Sequence, residues 1–181
     1  MIINVHERGL RGSSHDVAEL LMTLAGSDDR IWPGEAWPKM QFADGLVVGA
    51  NGGHGPVRYR IELIDPAGRV AFQFTRPTGF GGGHAFSVVD TAKSGETASV
   101  VLRHELQMFV TGMARVSWPL FFRPQHDALI EEALDKAEPE LGTPPLTPYR
   151  RSLWTRVLRR AAFSRVVVRL SLWLSRARAT K

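Results

Sequence analysis

Between Gln41 and Val110 the hydrophobic pattern repeats every two residues, and nothing else in the sequence constrains the fold as tightly. VRYRIELI (57–64) sets Val57, Tyr59, Ile61 and Leu63 against Arg58, Arg60 and Glu62. VAFQF places Val70, Phe72 and Phe74 on one face, and HAFSVV does the same for His84, Phe86 and Val88. From Val100 onward, Val100, Leu102, His104, Leu106 and Met108 alternate with Arg103, Glu105 and Gln107. Such alternation belongs to antiparallel strands with one dry and one wet face. DPAG (65–68) supplies a turn with proline at its favoured second position. Lys93-Ser94-Gly95 fits a three-residue hairpin loop ending in a left-handed glycine. That loop pairs 90 with 98, 88 with 100, 86 with 102, and His84 directly with His104 on the buried face.

The flanks change period. Ile2–Leu10 reads as a first strand with Ile3 and Val5 inward. Ser13 and Asp16 have capping-box spacing, Val17, Leu20, Leu21 and Leu24 follow at helical intervals, and Gly26 is the expected stop. Residues 28–40 read as a short turn and loop holding Trp32 and Trp37 against the core. After the sheet, Phe122, His126, Leu129, Ile130, Ala133 and Ala137 form a helical stripe. Asp127, Glu131, Glu132 and Asp135 fall opposite and are expected in solvent. Pro119 and Pro124 should kink the early turns or set a new first turn. Four prolines in PELGTPPLTPYR mark a linker.

The glycine-rich GANGGHGP (49–56) and GFGGGH (79–84) lead into strands rather than into a helix, and neither carries the lysine of a phosphate loop. They read as bends and bulges of a strongly curved sheet, at the mouth of whatever it encloses.

The segments WPGEAWPKM, GANGGHGPVRY, FTRPTGFGGGHAF and WPLFFRPQHDALIEEALDKAE, in this order, resemble the SRPBCC or START-like superfamily, which includes polyketide cyclases. The resemblance spans about residues 1 to 140. It implies an α+β helix-grip fold, a curved antiparallel β-sheet of six or seven strands wrapped around a long C-terminal helix. It also implies an apolar cavity between sheet and helix. Residues 141–150 are then a proline-rich linker and 151–181 a basic, amphipathic, helical tail.

Such a cavity would be lined by Tyr59, Phe72, Phe74, His84, Phe86, His104, His126 and Ile130, with His54 at the end of a glycine loop. An apolar small molecule or lipid is the expected ligand, with the histidines as the few polar groups of the pocket. The alternative is a cyclase or dehydratase using a cavity histidine as general base, for which His84 and His104 are the candidates. Neither has a partner carboxylate on the sequence, so no catalytic residue is assigned. Three convergent histidines could hold zinc. With no carboxylate expected to face inward, however, no metal and no cofactor is expected. The chain has no cysteine, which excludes thiolate chemistry and cysteine-ligated zinc.

The net charge of +5 conceals a division. Residues 1–149 carry 13 basic and 18 acidic residues; residues 150–181 carry ten basic and none acidic. In the tail, Leu153, Trp154, Val157, Leu158 and Ala161 form a stripe with Arg156, Arg159 and Arg160 away from it. From Phe163 the stripe moves to the other side, displaced by Arg165 and Arg169, with Trp173 near the end. Such a tail suits docking on the acidic body or a second subunit of a homodimer, or lying on an anionic membrane. No nucleic-acid-binding module accompanies the charge. No signal peptide and no bilayer-length apolar run is recognised, so the expectation is a cytoplasmic protein, peripheral to a membrane if the tail binds one.

Overall fold

The computed structural model describes residues 1–90, 100–142 and 147–163, with side chains to residue 160. Seven antiparallel strands form one sheet: β1 (Ile2–Leu10), β2 (Gln41–Phe42), β3 (Asn51–His54), β4 (Val57–Asp65), β5 (Arg69–Arg76), β6 (Phe80–Asp90) and β7 (Val100–Val110). Their order is β1-β7-β6-β5-β4-β3-β2, a meander closed at one edge by the first strand. Between β1 and β2 comes α1 (Ser14–Leu21), and after β7 come α2 (Ala114–Ser117), a π-helical turn (Trp118–Phe122), α3 (Arg123–Glu140) and α4 (Leu153–Phe163). This is the expected α+β helix-grip architecture, with the sheet curved around α3.

Local chemistry explains the elements. Asp16 N–H donates to Ser13 Oγ and Ser13 N–H to Asp16 Oδ2, so the capping box forms and starts α1. The helix ends at Leu21, earlier than Gly26 suggests, and the chain turns through Ala25 at φ 59°. Leu24 is still fully buried in that turn. Trp32 and Trp37 are both buried, as expected of the 28–40 segment. Pro119 sits in the π-helical turn and Pro124 in the first turn of α3, where a missing N–H is least costly.

Inward faces follow the alternation in most strands. Val70, Phe72, Phe74, Phe86, Val100, Leu102, Leu106 and Met108 are all buried in one core with Leu129, Ile130, Ala133 and Leu134 of α3. Three expectations are corrected. First, β6 and β7 pair two residues further along than a three-residue loop requires: His84 faces Leu106, Phe86 faces His104, and Asp90 faces Val100. A shift of two preserves which face each side chain occupies, and the loop at 93–95 lies outside the described residues. Second, a register irregularity between Ile61 and Leu63 turns Leu63 into solvent and Ile64 inward. Third, β1 is inverted: Ile3 and Val5 are 57% and 39% exposed, while Asn4, His6 and Arg8 point at α3.

Glycine is required where strands cross closely. A Cβ on Gly83 would lie 2.1 Å from the Phe72 carbonyl oxygen, and Gly82 has φ +97°. These glycines sit within strands, in keeping with sheet bending and not with a phosphate cradle.

Candidate functional site

The inversion of β1 creates a site that hydrophobic patterning alone does not reveal. Asn4, His6 and Arg8 lie two residues apart on one face of the strand. Asp127, Glu131, Asp135 and Glu138 run along the facing side of α3 at helical spacing. Arg8 donates to Glu131 Oε2 (2.9 Å), Asp135 Oδ1 (2.8 Å) and Glu138 Oε1 (2.9 Å). His6 Nδ1–H donates to Glu131 Oε1 (2.7 Å), and His6 Nε2 faces Asn4 Oδ1 (2.9 Å) and Asp127 Oδ1 (3.4 Å). Glu131 is therefore not solvated, as the stripe suggested. Nor is Glu132, which accepts from Trp37 Nε1 (2.9 Å) and from Arg151. Most of the circumference of α3 is covered, because sheet, β1, the 28–40 loop and α4 all pack on it.

From this ionic edge a row of imidazoles runs into the core. His126 Nδ1 lies 3.5 Å from Asp127 Oδ1, and its ring centre is 5.1 Å from that of His104. His104 Nε2 and His84 Nδ1 are 3.1 Å apart. The two are diagonal neighbours across β6 and β7, not opposite one another, and their rings still meet. His84 stands edge-on to Tyr59 at 5.0 Å, and the Tyr59 hydroxyl shares a 3.0 Å hydrogen bond with His54 Nδ1. Phe72 and Phe74 stack on His84, and Phe86 meets His104 edge-on. Of the expected cavity residues, Tyr59, Phe72, Phe74, His84, Phe86, His104, His126 and His54 are thus brought together around one interior, with Ile130 buried in the same core. The rings pack directly on one another. One concavity of about 820 Å³ lies elsewhere; another of about 400 Å³ is lined by Phe72 and His84 together with Glu62, Arg69, Glu105 and Gln107. The larger is lined by Glu132, Tyr149 and five arginines of the 150–160 segment.

Burial sets the protonation states. It drives His84 and His104 well below the ordinary imidazole range, and His54 down to about 3, where the charge of Arg58 adds to the effect. Burial also lowers His126, against the opposing pull of Asp127. At His6 burial works the same way, but hydrogen bonds and charge from Asp127 and Glu131 outweigh it and raise the value. The interior imidazoles are neutral, and the proton-holding histidine sits at the edge. His104 Nδ1 and His126 Nε2 are buried with no hydrogen-bond partner among the described residues.

His6 and Asp127 escaped the sequence reading. The signal was present: alternate polar residues 4, 6 and 8 match the run of acidic residues 127, 131, 135 and 138 in spacing. The expectation that no carboxylate faces inward is overturned by Asp127, which holds both His6 and His126.

The tail begins by returning to the body. Arg151 pairs with Glu132, Trp154 Nε1 donates to the Leu120 carbonyl (2.9 Å), Thr155 Oγ1 to that of Pro124 (3.3 Å), and Arg159 lies 4.4 Å over the Trp37 ring. Thr155 and Leu158 are buried, whereas Leu153, Trp154 and Val157 remain exposed, as do Arg156 and Arg160. Arg165, Arg169 and Trp173 lie outside the described residues. No helix among the described residues is long and apolar enough to cross a membrane.

No family model matches the chain, and no curated protein matches it in sequence. Solved structures do match in architecture. A Thermobifida fusca protein is 14% identical with a TM-score of 0.57, over 80% of this chain and 98% of its own. XoxI of Bacillus cereus is 10% identical with a TM-score of 0.52, over 78% and 96%. CalU16 of Micromonospora echinospora is 12% identical with a TM-score of 0.50, over 88% and 82%. With its meander of seven strands gripping α3, the chain has a helix-grip fold and shares that architecture with these structures.

Proposed function

We propose that the protein binds an apolar or aromatic small molecule, a lipid included, between the sheet and α3. The observation that carries this reading is the pair of unpartnered nitrogens, His104 Nδ1 and His126 Nε2, inside an aromatic interior. A buried polar atom without a partner costs about 1–3 kcal/mol. A guest with an apolar body and a hydroxyl or carbonyl would relieve that cost while keeping its own bulk among Phe72, Phe74 and Phe86. Admission requires the rings now packed together to part, so binding is coupled to motion of α3 against the sheet. Native mass spectrometry of the full chain from its host tests this directly. A co-purifying apolar molecule, lost in His104→Phe but kept in the exposed variant His15→Ala, is the expected result. An unliganded protein that also fails to take up a naphthalene-sulfonate dye would end the proposal.

Association with an anionic membrane belongs to the same reading. Leu153, Trp154 and Val157 are exposed on α4 beside Leu120, and Arg156 and Arg160 flank them. An apolar strip with arginines at its margin suits an anionic interface, where each arginine contributes about 1 kcal/mol. Sedimentation with phosphatidylserine vesicles should show binding that weakens with salt and with Trp154→Ala.

A second reading, acid–base catalysis of the cyclase or dehydratase type, gains support from one contact. His126 has the carboxylate partner that the sequence did not assign to it, Asp127 at 3.5 Å. Under this reading His126, more than His84 or His104, is the general base.

A further inference from the structure

We propose that His6, His126 and Asp127, with Asn4, form a binding site for a divalent cation of the zinc class that clamps β1 to α3. One donor atom from each of the two histidines and Asp127 lies within 4.8 Å of the others. His6 Nε2 and His126 Nδ1 stand 3.4 and 3.5 Å from Asp127 Oδ1, and Asn4 Oδ1 stands 2.9 Å from His6 Nε2. The first two separations exceed the usual range of a nitrogen–oxygen hydrogen bond, about 2.7–3.2 Å. They match the edge of a tetrahedron about a metal with ligands at about 2.0–2.1 Å, an edge of about 3.3 Å.

The surroundings are those of a metal-binding histidine. A ligating imidazole commonly donates its other ring N–H to a carboxylate, which fixes its orientation. His6 does so: its Nδ1 is held by Glu131 at 2.7 Å, and Arg8 in turn holds Glu131 at 2.9 Å. The orienting hydrogen bond therefore leaves Nε2 facing both Asn4 Oδ1 and Asp127 Oδ1, and Asn4 Nδ2 donates to the same Asp127 oxygen (3.1 Å). Charge favours a cation. Asp127, Glu131, Asp135 and Glu138 face this edge with Arg8 and Arg123 as the arginines bridged to them. Four carboxylates against two guanidiniums leave two negative charges, of which the His6 proton offsets one until a metal displaces it. The side chains of His6, His126 and Asp127 are 10%, 16% and 31% exposed, so an ion can enter from solvent.

Imidazole nitrogens with one carboxylate suit zinc, cobalt, nickel or copper rather than calcium, which prefers an all-oxygen shell. The site joins β1 to α3, residues 120 or more apart in sequence. A bound ion would tie the edge strand to the gripped helix.

The test is titration of the metal-stripped full chain with Co²⁺. The expected result is a one-to-one complex with the intense visible absorption of low-symmetry cobalt, displaced by Zn²⁺. His126→Gln and Asp127→Asn should abolish it, and Glu131→Gln should weaken it by about 10–100-fold through loss of the orienting bond. Should those variants fail to fold, paramagnetic broadening in the wild-type protein decides. Loss of the His6 and His126 imidazole signals with the exposed His15 unaffected supports the site. Broadening of His15 alone, or no stoichiometric complex, overturns it.

Discussion

His84 Nδ1 and His104 Nε2 lie 3.1 Å apart although their residues are one diagonal step out of register. The contact holds two neutral rings in the core, and together with His54 they make the fold sensitive to acid. An unfolded imidazole titrates near 6.5, whereas burial depresses His84 strongly and His54 to about 3. The unfolded chain therefore binds more protons as pH falls below about 6.5, and folding loses up to about 1.4 kcal/mol per pH unit for each such group. Stability is full above that value and declines between about 6.5 and 3 for His54. His6, with its raised value, acts in the opposite sense. Urea midpoints should drop between about pH 7 and pH 5, and the His54 and His84 imidazole signals should not titrate over that range.

Gly83→Ala should destabilise by about 1–3 kcal/mol or more, because the added methyl meets the Phe72 carbonyl and a strand must give way. Gly9→Ala, on the open face of β1 with no atom within 4 Å, should change stability by no more than about 0.5 kcal/mol. Thermal denaturation of the pair checks this; equal effects would contradict the close strand approach.

Arg8→Met removes the guanidinium shared by Glu131, Asp135 and Glu138, whose side chains are 27% exposed or less. The loss should be about 2–3 kcal/mol, somewhat below the roughly 3–5 kcal/mol of a fully buried pair. A double-mutant cycle with Asp135→Asn should show positive coupling. Purely additive losses would mean that the contacts contribute separately.

Arg151→Ala should cost about 1.5–3 kcal/mol, the range for hydrogen bonds to a charged group, since Glu132 loses its bidentate partner while keeping the Trp37 hydrogen bond. Removing residues 150–181 should lower the melting temperature by more than Arg151→Ala does, because the Arg159 contact with Trp37 goes as well. An unchanged melting temperature after truncation would show that α4 adds nothing to the body.

The strand alternation and the order of elements made the architecture legible, since period two leaves little freedom about which face is buried. The inward row Phe72, His84, Phe86 and His104 could be read in this way even though the hairpin register was two residues off, because an even slip keeps every side chain on its face. The first strand could not. Its apolar residues Ile3 and Val5 invited the usual assignment, yet the alternate set found stronger partners in the carboxylates of α3. Hydrophobic pattern carries no information about an ionic interior. Complementary charge between two distant segments does, and Arg8 with Asp135 and Glu138 was its clearest sign. Leu63 was misplaced for a different reason: a local irregularity beside Glu62 reverses facing, and nothing in VRYRIELI announces it.

The inverted face of β1 also bears on how a sheet edge finds a single alignment. Edge strands with apolar faces can slide, since one greasy rung resembles the next. Here a slip by one residue would press Ile3 and Val5 against four carboxylates and turn His6 and Arg8 outward. A slip by two would move His6 from Glu131 toward Asp135 and leave Asp127 with His126 alone. The nine-residue strand is thus keyed by charge, like a lock whose pins differ in height, and the acidic helix it faces accepts it in one position only.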